Sequence, residues 1–165
     1  MILVVHGDLA RQAVDAVIRP ADATLLPIGE AALRLDQAGG ERFAAQRRTA
    51  TPLEAGAAVV TGGGDLPAGL VLHVVVADER GPADRERMRR ALVSAWQRAG
   101  DWGLRRLAAP LVGRSGGTLT AEEAAGLLLE TFPPDGADGE AAELTIVVET
   151  DTDRDVVVDL VRRKT

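Results

Sequence analysis

Two segments of the chain place glycines and polar side chains where an anion could be held. The first is Gly113-Arg114-Ser115-Gly116-Gly117-Thr118. Its glycines let successive backbone N–H groups converge, and Arg114 and Ser115 add side-chain donors, so its chemistry is phosphate or carboxylate binding. The second is RPADATLLPIGEAALRLDQAGG, from Arg19 to Gly40. It runs from strand end through turn to helix start, the place where a helix N-terminus would face an anion. Its polar groups have the wrong sign for that task. Asp22 and Glu30, once ionised, only accept hydrogen bonds, and Pro27 removes an N–H. Glu30 in the first helical turn complements the helix dipole without any ligand. A phosphate charge within about 4 Å of Glu30 would be repelled by ~1 kcal/mol in bulk water and by ~4 kcal/mol at an effective dielectric near 20. Asp22 also suits a turn in which its side chain bonds its own backbone.

Other titratable residues carry less. Asp8 follows the first apolar run and suits the cap of a short helical turn that starts at Leu9. His73 lies inside an apolar run, which suits a hydrogen-bonded core residue. His6 and His73 are distant in sequence and the chain has no cysteine, so no recognisable metal set exists. Trp96 and Trp102 suit packing on a helix face and at a helix end.

The elements that must position these residues are readable from periodicity. Ile2–Val5, Ala16–Ile18, Ala57–Thr61, Leu70–Ala77, Leu107–Val112 and Leu144–Val148 read as strands. Leu70–Ala77 is continuously apolar, as a strand buried on both faces should be. Arg19-Pro20 is expected to end the second strand, and Pro110 to interrupt the fifth. Helical spacing begins at Gly29 and stops at Gly39-Gly40, and a second short helix covers Glu41–Arg48. Met88, Leu92, Ala95, Trp96 and Ala99 mark one face of a helix over Asp84–Ala99. Thr120-x-x-Glu123 matches a capping box, and Asp153–Arg163 is the last helix. FPPDGADGE reads as a flexible loop. Interleaved strands and helices predict an α/β chain folded as a three-layer α/β/α sandwich around a mixed sheet of about six strands. The 165 residues, 46% hydrophobic, suit a single domain spanning 1–165.

Composition narrows the partners. A formal net charge of −6 argues against nucleic acid, which needs a basic face, and 2% aromatics leave almost nothing to stack bases on. No apolar run is long enough to span a membrane. MILVV opens directly as a strand, and the lack of cysteine fits a reducing compartment, so a soluble cytoplasmic protein is expected. A homo-oligomer is compatible with all of this.

In order and spacing, VVHGDLARQAVDAVI, the Arg19–Gly40 stretch, LEAGAAVVTGGGDLPAGLVLHVVVA and LRRLAAPLVGRSGGTLTAEEAAGLLLE resemble a macrodomain. The resemblance covers nearly the whole chain and is most specific in GAAVVTGGGDLPAGLVLH. It implies a ligand of the ADP-ribose class, or a related nucleotide or anionic metabolite, lying across the strand carboxyl ends. The site it implies comprises Asp8, Leu9, Asp22, Gly29, Glu30, Gly113, Arg114, Ser115, Gly116, Gly117 and Thr118. Asp8 stands where the family's acid accepts the adenine amino group, and Asp22 where its hydrolases carry an asparagine. Pro27-Ile28-Gly29-Glu30 replaces a glycine run that approaches the diphosphate. Ala32 replaces a frequent catalytic acid, and Glu149 an aromatic that stacks on adenine. Glu30 or Asp36 would be the nearest substitutes for the missing base. These substitutions imply weak or absent ADP-ribose affinity, no hydrolysis and no cofactor. The alternatives are an ADP-ribosyl hydrolase with a rearranged site, or a ligand-free scaffold acting through protein contacts.

Overall fold

The computed structural model describes residues 1–115, 118–133 and 142–164. Gly116, Gly117 and most of the FPPDGADGE loop therefore lie outside the described residues. The strands are Ile2–His6 (β1), Ala16–Asp22 (β2), Ala58–Gly62 (β3), Leu70–Asp78 (β4), Gly81–Pro82 (β5), Arg106–Ala109 (β6) and Glu143–Val148 (β7). The helices are Glu30–Gln46 (α1), Arg85–Asp101 (α2), Ala121–Thr131 (α3) and Asp151–Lys164 (α4). One sheet forms in the order β1-β7-β6-β2-β4-β3, with the two-residue β5 also on β4. Strands β1, β7, β6, β2 and β4 run parallel, and β3 and β5 pair antiparallel with β4.

Side-chain alternation along the central strands builds the layers. Ala16 and Ile18 of β2 face a core shared with Met88, Leu92, Leu128, Val157 and Leu160 of α2, α3 and α4. Val17 of the same strand faces the opposite core, under Leu35 and Phe43 of α1. A period of two thus puts α1 on one side of the sheet and the other helices on the reverse. The capping box forms as the sequence predicts: Thr120 Oγ1 accepts from the Glu123 N–H and Glu123 accepts from the Thr120 N–H, both at 3.1 Å.

Three expectations need correction. Pro20 does not end β2, which runs on to Asp22. Its carbonyl accepts from the Ile28 N–H at 3.1 Å rather than from β4, and pairing with β6 has already ended at Val17. The proline nitrogen therefore faces the side of the strand where no ladder donor is required. Strand β6 stops at Ala109, before Pro110, rather than continuing to Val112. Gly39-Gly40, by contrast, separates two helices as the sequence predicts: Glu30–Gln46 is broken by a kink at Gly40. Gly40 adopts φ 67°, and the Gly39 carbonyl accepts from the Asp65 N–H at 3.1 Å. Trp102 caps the end of α2 but is 61% exposed, so it packs little; Trp96 is buried and donates to Thr131 Oγ1 at 2.9 Å.

Under α1 lies a polar cluster inside the core. Arg19 of β2 is wholly buried, and its guanidinium binds the Asp36 carboxylate of α1 through two bonds of 2.7 and 2.8 Å. Its third contact is His73 Nδ1 at 3.1 Å. Arginine can only donate, so Nδ1 accepts, and Nε2–H donates to Thr61 Oγ1 at 2.7 Å. Phe43 stacks on the imidazole with centroids 5.8 Å apart. Burial, reinforced by the Arg19 and Arg47 charges, pulls the His73 pKa from 6.5 to about 3. The imidazole is therefore the neutral core residue that its apolar surroundings predict.

Breaking a buried ion pair on one side strands the other charge, so Asp36→Ala should lower the unfolding free energy by about 3–5 kcal/mol in urea titrations. His73 makes stability depend on pH. Below its unfolded pKa of 6.5 the unfolded chain takes up a proton that the folded chain refuses until about pH 3. Stability therefore falls as pH drops through that window, by up to ~1.4 kcal/mol per unit. From this residue alone we expect about 2 kcal/mol less stability at pH 5 than at pH 7. Urea unfolding of His73→Asn should lack that difference.

Candidate functional site

Parallel strands carry their carboxyl ends to one edge of the sheet, the usual place for a ligand crevice in open α/β folds. A cleft opens there between the loop after β2, the loop after β6 and the end of β7. The loop after β2 is stiff. Asp22 Oδ1 accepts from the Thr24 N–H, the Thr24 hydroxyl and the Leu26 N–H at 2.8, 2.9 and 3.0 Å. The turn so held keeps Leu25 buried at φ 66°, a conformation leucine seldom adopts. Asp22 thus bonds its own turn.

Gly29 then caps α1 at φ 93°, ψ 165°, a region open essentially to glycine alone. A Cβ there would lie 2.7 Å from Ser115 Cβ, so the loops after β2 and β6 touch at this point. Gly113 is equally confined at φ 91°: a Cβ would meet Leu119 Cδ1 at 2.7 Å and Met88 Sδ at 2.8 Å. Arg114 reaches across to Asp153 of α4, 3.3 Å from Nη2 to Oδ1. Ile28, Gly29, Gly113, Ser115 and Glu149 line the cleft, whose cavity volume of about 40 Å³ admits a few waters.

An arginine on α1 meets Glu149, which lines the crevice. The Arg34 guanidinium pairs with the Glu149 carboxylate, and its Nε stands 3.9 Å from Asp8 Oδ1. Asp8 Oδ1 also accepts from the Ala10 N–H at 2.9 Å, capping the 3-10 turn Leu9–Arg11. Nearby, His6 Nδ1 and Asp151 Oδ1 are 2.8 Å apart.

Of the residues singled out from sequence, Gly29, Gly113, Arg114, Ser115 and Glu149 meet in one crevice. Asp8 lies at its end, tied to Glu149 through Arg34. Asp22, Glu30 and Thr118 do not line it, and the Leu9 side chain belongs to the core at 1% exposure. Asp36 is not available as a base, because both its oxygens hold Arg19. Ala32 is fully buried. Sequence reasoning missed Arg34 and Asp153. Arg34 sits one turn after Glu30, a spacing that signals a shared rim; nothing local announces that Asp153 faces Arg114. Among the described residues no group of three or more His, Asp or Glu could hold a metal, and no helix is long and apolar enough to cross a membrane. A larger hollow of about 430 Å³ lies elsewhere, between Leu53, Arg80, Arg87 and Arg90. Its lining mixes those guanidiniums with Glu54, Asp78 and Glu79, and it is not at the β6–β7 crevice.

A mixed sheet between helical layers, with glycine loops meeting over the strand carboxyl ends, defines an α/β/α ligand-cleft protein. The macro domain model matches residues 18–128, and the chain belongs to that family. It is 33% identical over 132 residues to an uncharacterized protein of Aeropyrum pernix, covering 76% of this chain and 67% of that one. An uncharacterized protein of Mycobacterium tuberculosis is 30% identical over 128 residues, which are 77% of this chain and 36% of that protein. The chain thus spans only about a third of the mycobacterial relative. The Trypanosoma brucei macrodomain in complex with ADP-ribose superposes with a TM-score of 0.82 at 20% identity, over 97% of this chain and 68% of that one.

The contact between the loops is testable. Gly29→Ala should lower stability by about 1–3 kcal/mol through backbone strain and the Ser115 clash. In a Ser115→Gly background the clash is gone and the strain is not, so thermal unfolding should show part of the loss restored.

Proposed function

We propose that this chain is a ligand-binding macrodomain whose crevice takes a ribose phosphate of the ADP-ribose class weakly and does not hydrolyse it. One observation carries the reading: both guanidiniums at the crevice, Arg34 and Arg114, are already paired with the crevice's own acids, Glu149 and Asp153. An incoming diphosphate reaches these two guanidiniums by displacing the carboxylates, which repel it. The position of the crevice, the loop contact at Gly29 and the ADP-ribose held by the trypanosomal relative support the ligand class. The absence of hydrolysis follows from the acids. Asp22 is occupied by its own turn, Asp36 by Arg19, and Ala32 has no group to activate water.

Titration calorimetry with ADP-ribose measures this directly. We expect a dissociation constant above about 10 μM, weaker than about −7 kcal/mol, and no release of ADP-ribose from a modified protein. Tighter binding would contradict the weakened site. No heat even at millimolar ligand would favour the scaffold reading.

A further inference from the structure

We infer that Arg34 sets the ligand class of the crevice, closing the end beside β1 and β7 so that the site selects a sugar phosphate without a nucleobase. This rests on the reading just proposed and narrows it. The crevice lining runs from Ile28 and Gly29 past Ser115 and stops at Glu149. There Arg34, rising from α1, pairs with Glu149 and approaches Asp8 at 3.9 Å. The three side chains come from α1, the end of β7 and the turn after β1, so together they span the end of the crevice.

The closure is chemical as well as steric. A heterocycle entering there would need an acceptor for its amino group and a face to stack on. Asp8 is the acceptor on offer; its Oδ1 accepts from the Ala10 N–H, and the Arg34 and Arg11 guanidiniums flank its two oxygens at 3.9 and 4.0 Å. Glu149 offers a carboxylate, committed to Arg34, instead of a ring. Only four aromatic residues exist in the chain, two Trp and two Phe. Phe43 is under α1 against His73, Trp96 and Phe132 pack on each other in the opposite core, and Trp102 caps the end of α2. None of them faces this end. What remains open is the segment between Gly29 and Gly113–Ser115, where the Ser115 hydroxyl offers a donor suited to a phosphate and the cavity of about 40 Å³ suits a small group.

The helix geometry keeps Arg34 in place. Asp36 is held inward by Arg19 through two hydrogen bonds. Two residues along an α-helix turn it by about 200°, so fixing Asp36 against the sheet turns Arg34 to the rim.

Calorimetry on the whole chain with ribose 5-phosphate and with ADP-ribose tests the assignment. We expect the wild type to bind ribose 5-phosphate at least as tightly as ADP-ribose. Arg34→Ala combined with Glu149→Phe, which opens the end and supplies a ring, should shift the ratio of the two affinities at least tenfold toward ADP-ribose. A wild type that prefers ADP-ribose tenfold or more, or a double variant with an unchanged ratio, would overturn the role of Arg34 while leaving the ribose-phosphate crevice standing. If neither ligand binds either protein, the crevice reading itself fails, and the selectivity with it. Circular dichroism of the double variant, matched to the wild type, ensures that a lost ratio is not lost folding.

Discussion

The wholly buried guanidinium of Arg19 is the constraint on which the ligand side of this molecule depends. A charge at zero exposure in a central strand demands a counter-charge and hydrogen-bond acceptors around its fork. Asp36 supplies two acceptors from α1, and the unprotonated Nδ1 of His73 supplies a third from β4. The pair therefore does more than neutralise charge: it sets the rotation of α1 against the sheet. Leu35 and Phe43 then fall into the core, Gly29 meets the loop after β6, and Arg34 reaches Asp8 and Glu149. A hydrophobic stripe alone would tolerate a small rotation of the helix, whereas a two-bond fork tolerates very little.

Contacts within the chain hold the described part of the crevice. Asp22 spends its side chain on holding Leu25 and Leu26 in a turn, and the two glycine loops are in contact. The rim cations are neutralised by rim acids. Partly exposed ion pairs of this kind are worth only about 0–1 kcal/mol each. If the crevice binds as proposed, a ligand must outcompete them, and a diphosphate would do so against the repulsion of the acids it displaces. The family's fold is thus retained with a crevice whose charges are largely satisfied by the chain itself.

Much of this was legible locally. The continuous apolar run of β4, the one-sided apolar pattern of α2 and the Thr120–Glu123 box each depend on neighbours a few residues away, and each appears as expected. The turn role of Asp22 was readable for the same reason. Pro20 misled because a proline is judged by its missing N–H, and whether that matters depends on which side of the strand pairs; β6 has already left β2 at that point. Gly39-Gly40 was readable locally as a helix break, and the Asp65 N–H, contributed from the GGGDLPAG turn, donates to the Gly39 carbonyl there.

The sequence by itself determined the alternation of buried strands and amphipathic helices, and with it the α/β/α class, because side-chain periodicity is a local property. It also determined which residue types stand in the loops after β2 and β6, acids such as Asp22 and Glu30 among them. Only the tertiary structure decided which charges meet. Arg19 and Asp36 are 17 residues apart, Arg114 and Asp153 are 39, and Arg34 and Glu149 are 115. An acid in a phosphate loop repels a ligand when it is free and does something different when it holds an arginine. That distinction lies in distances of a few ångströms between elements remote along the chain, and no local pattern encodes it.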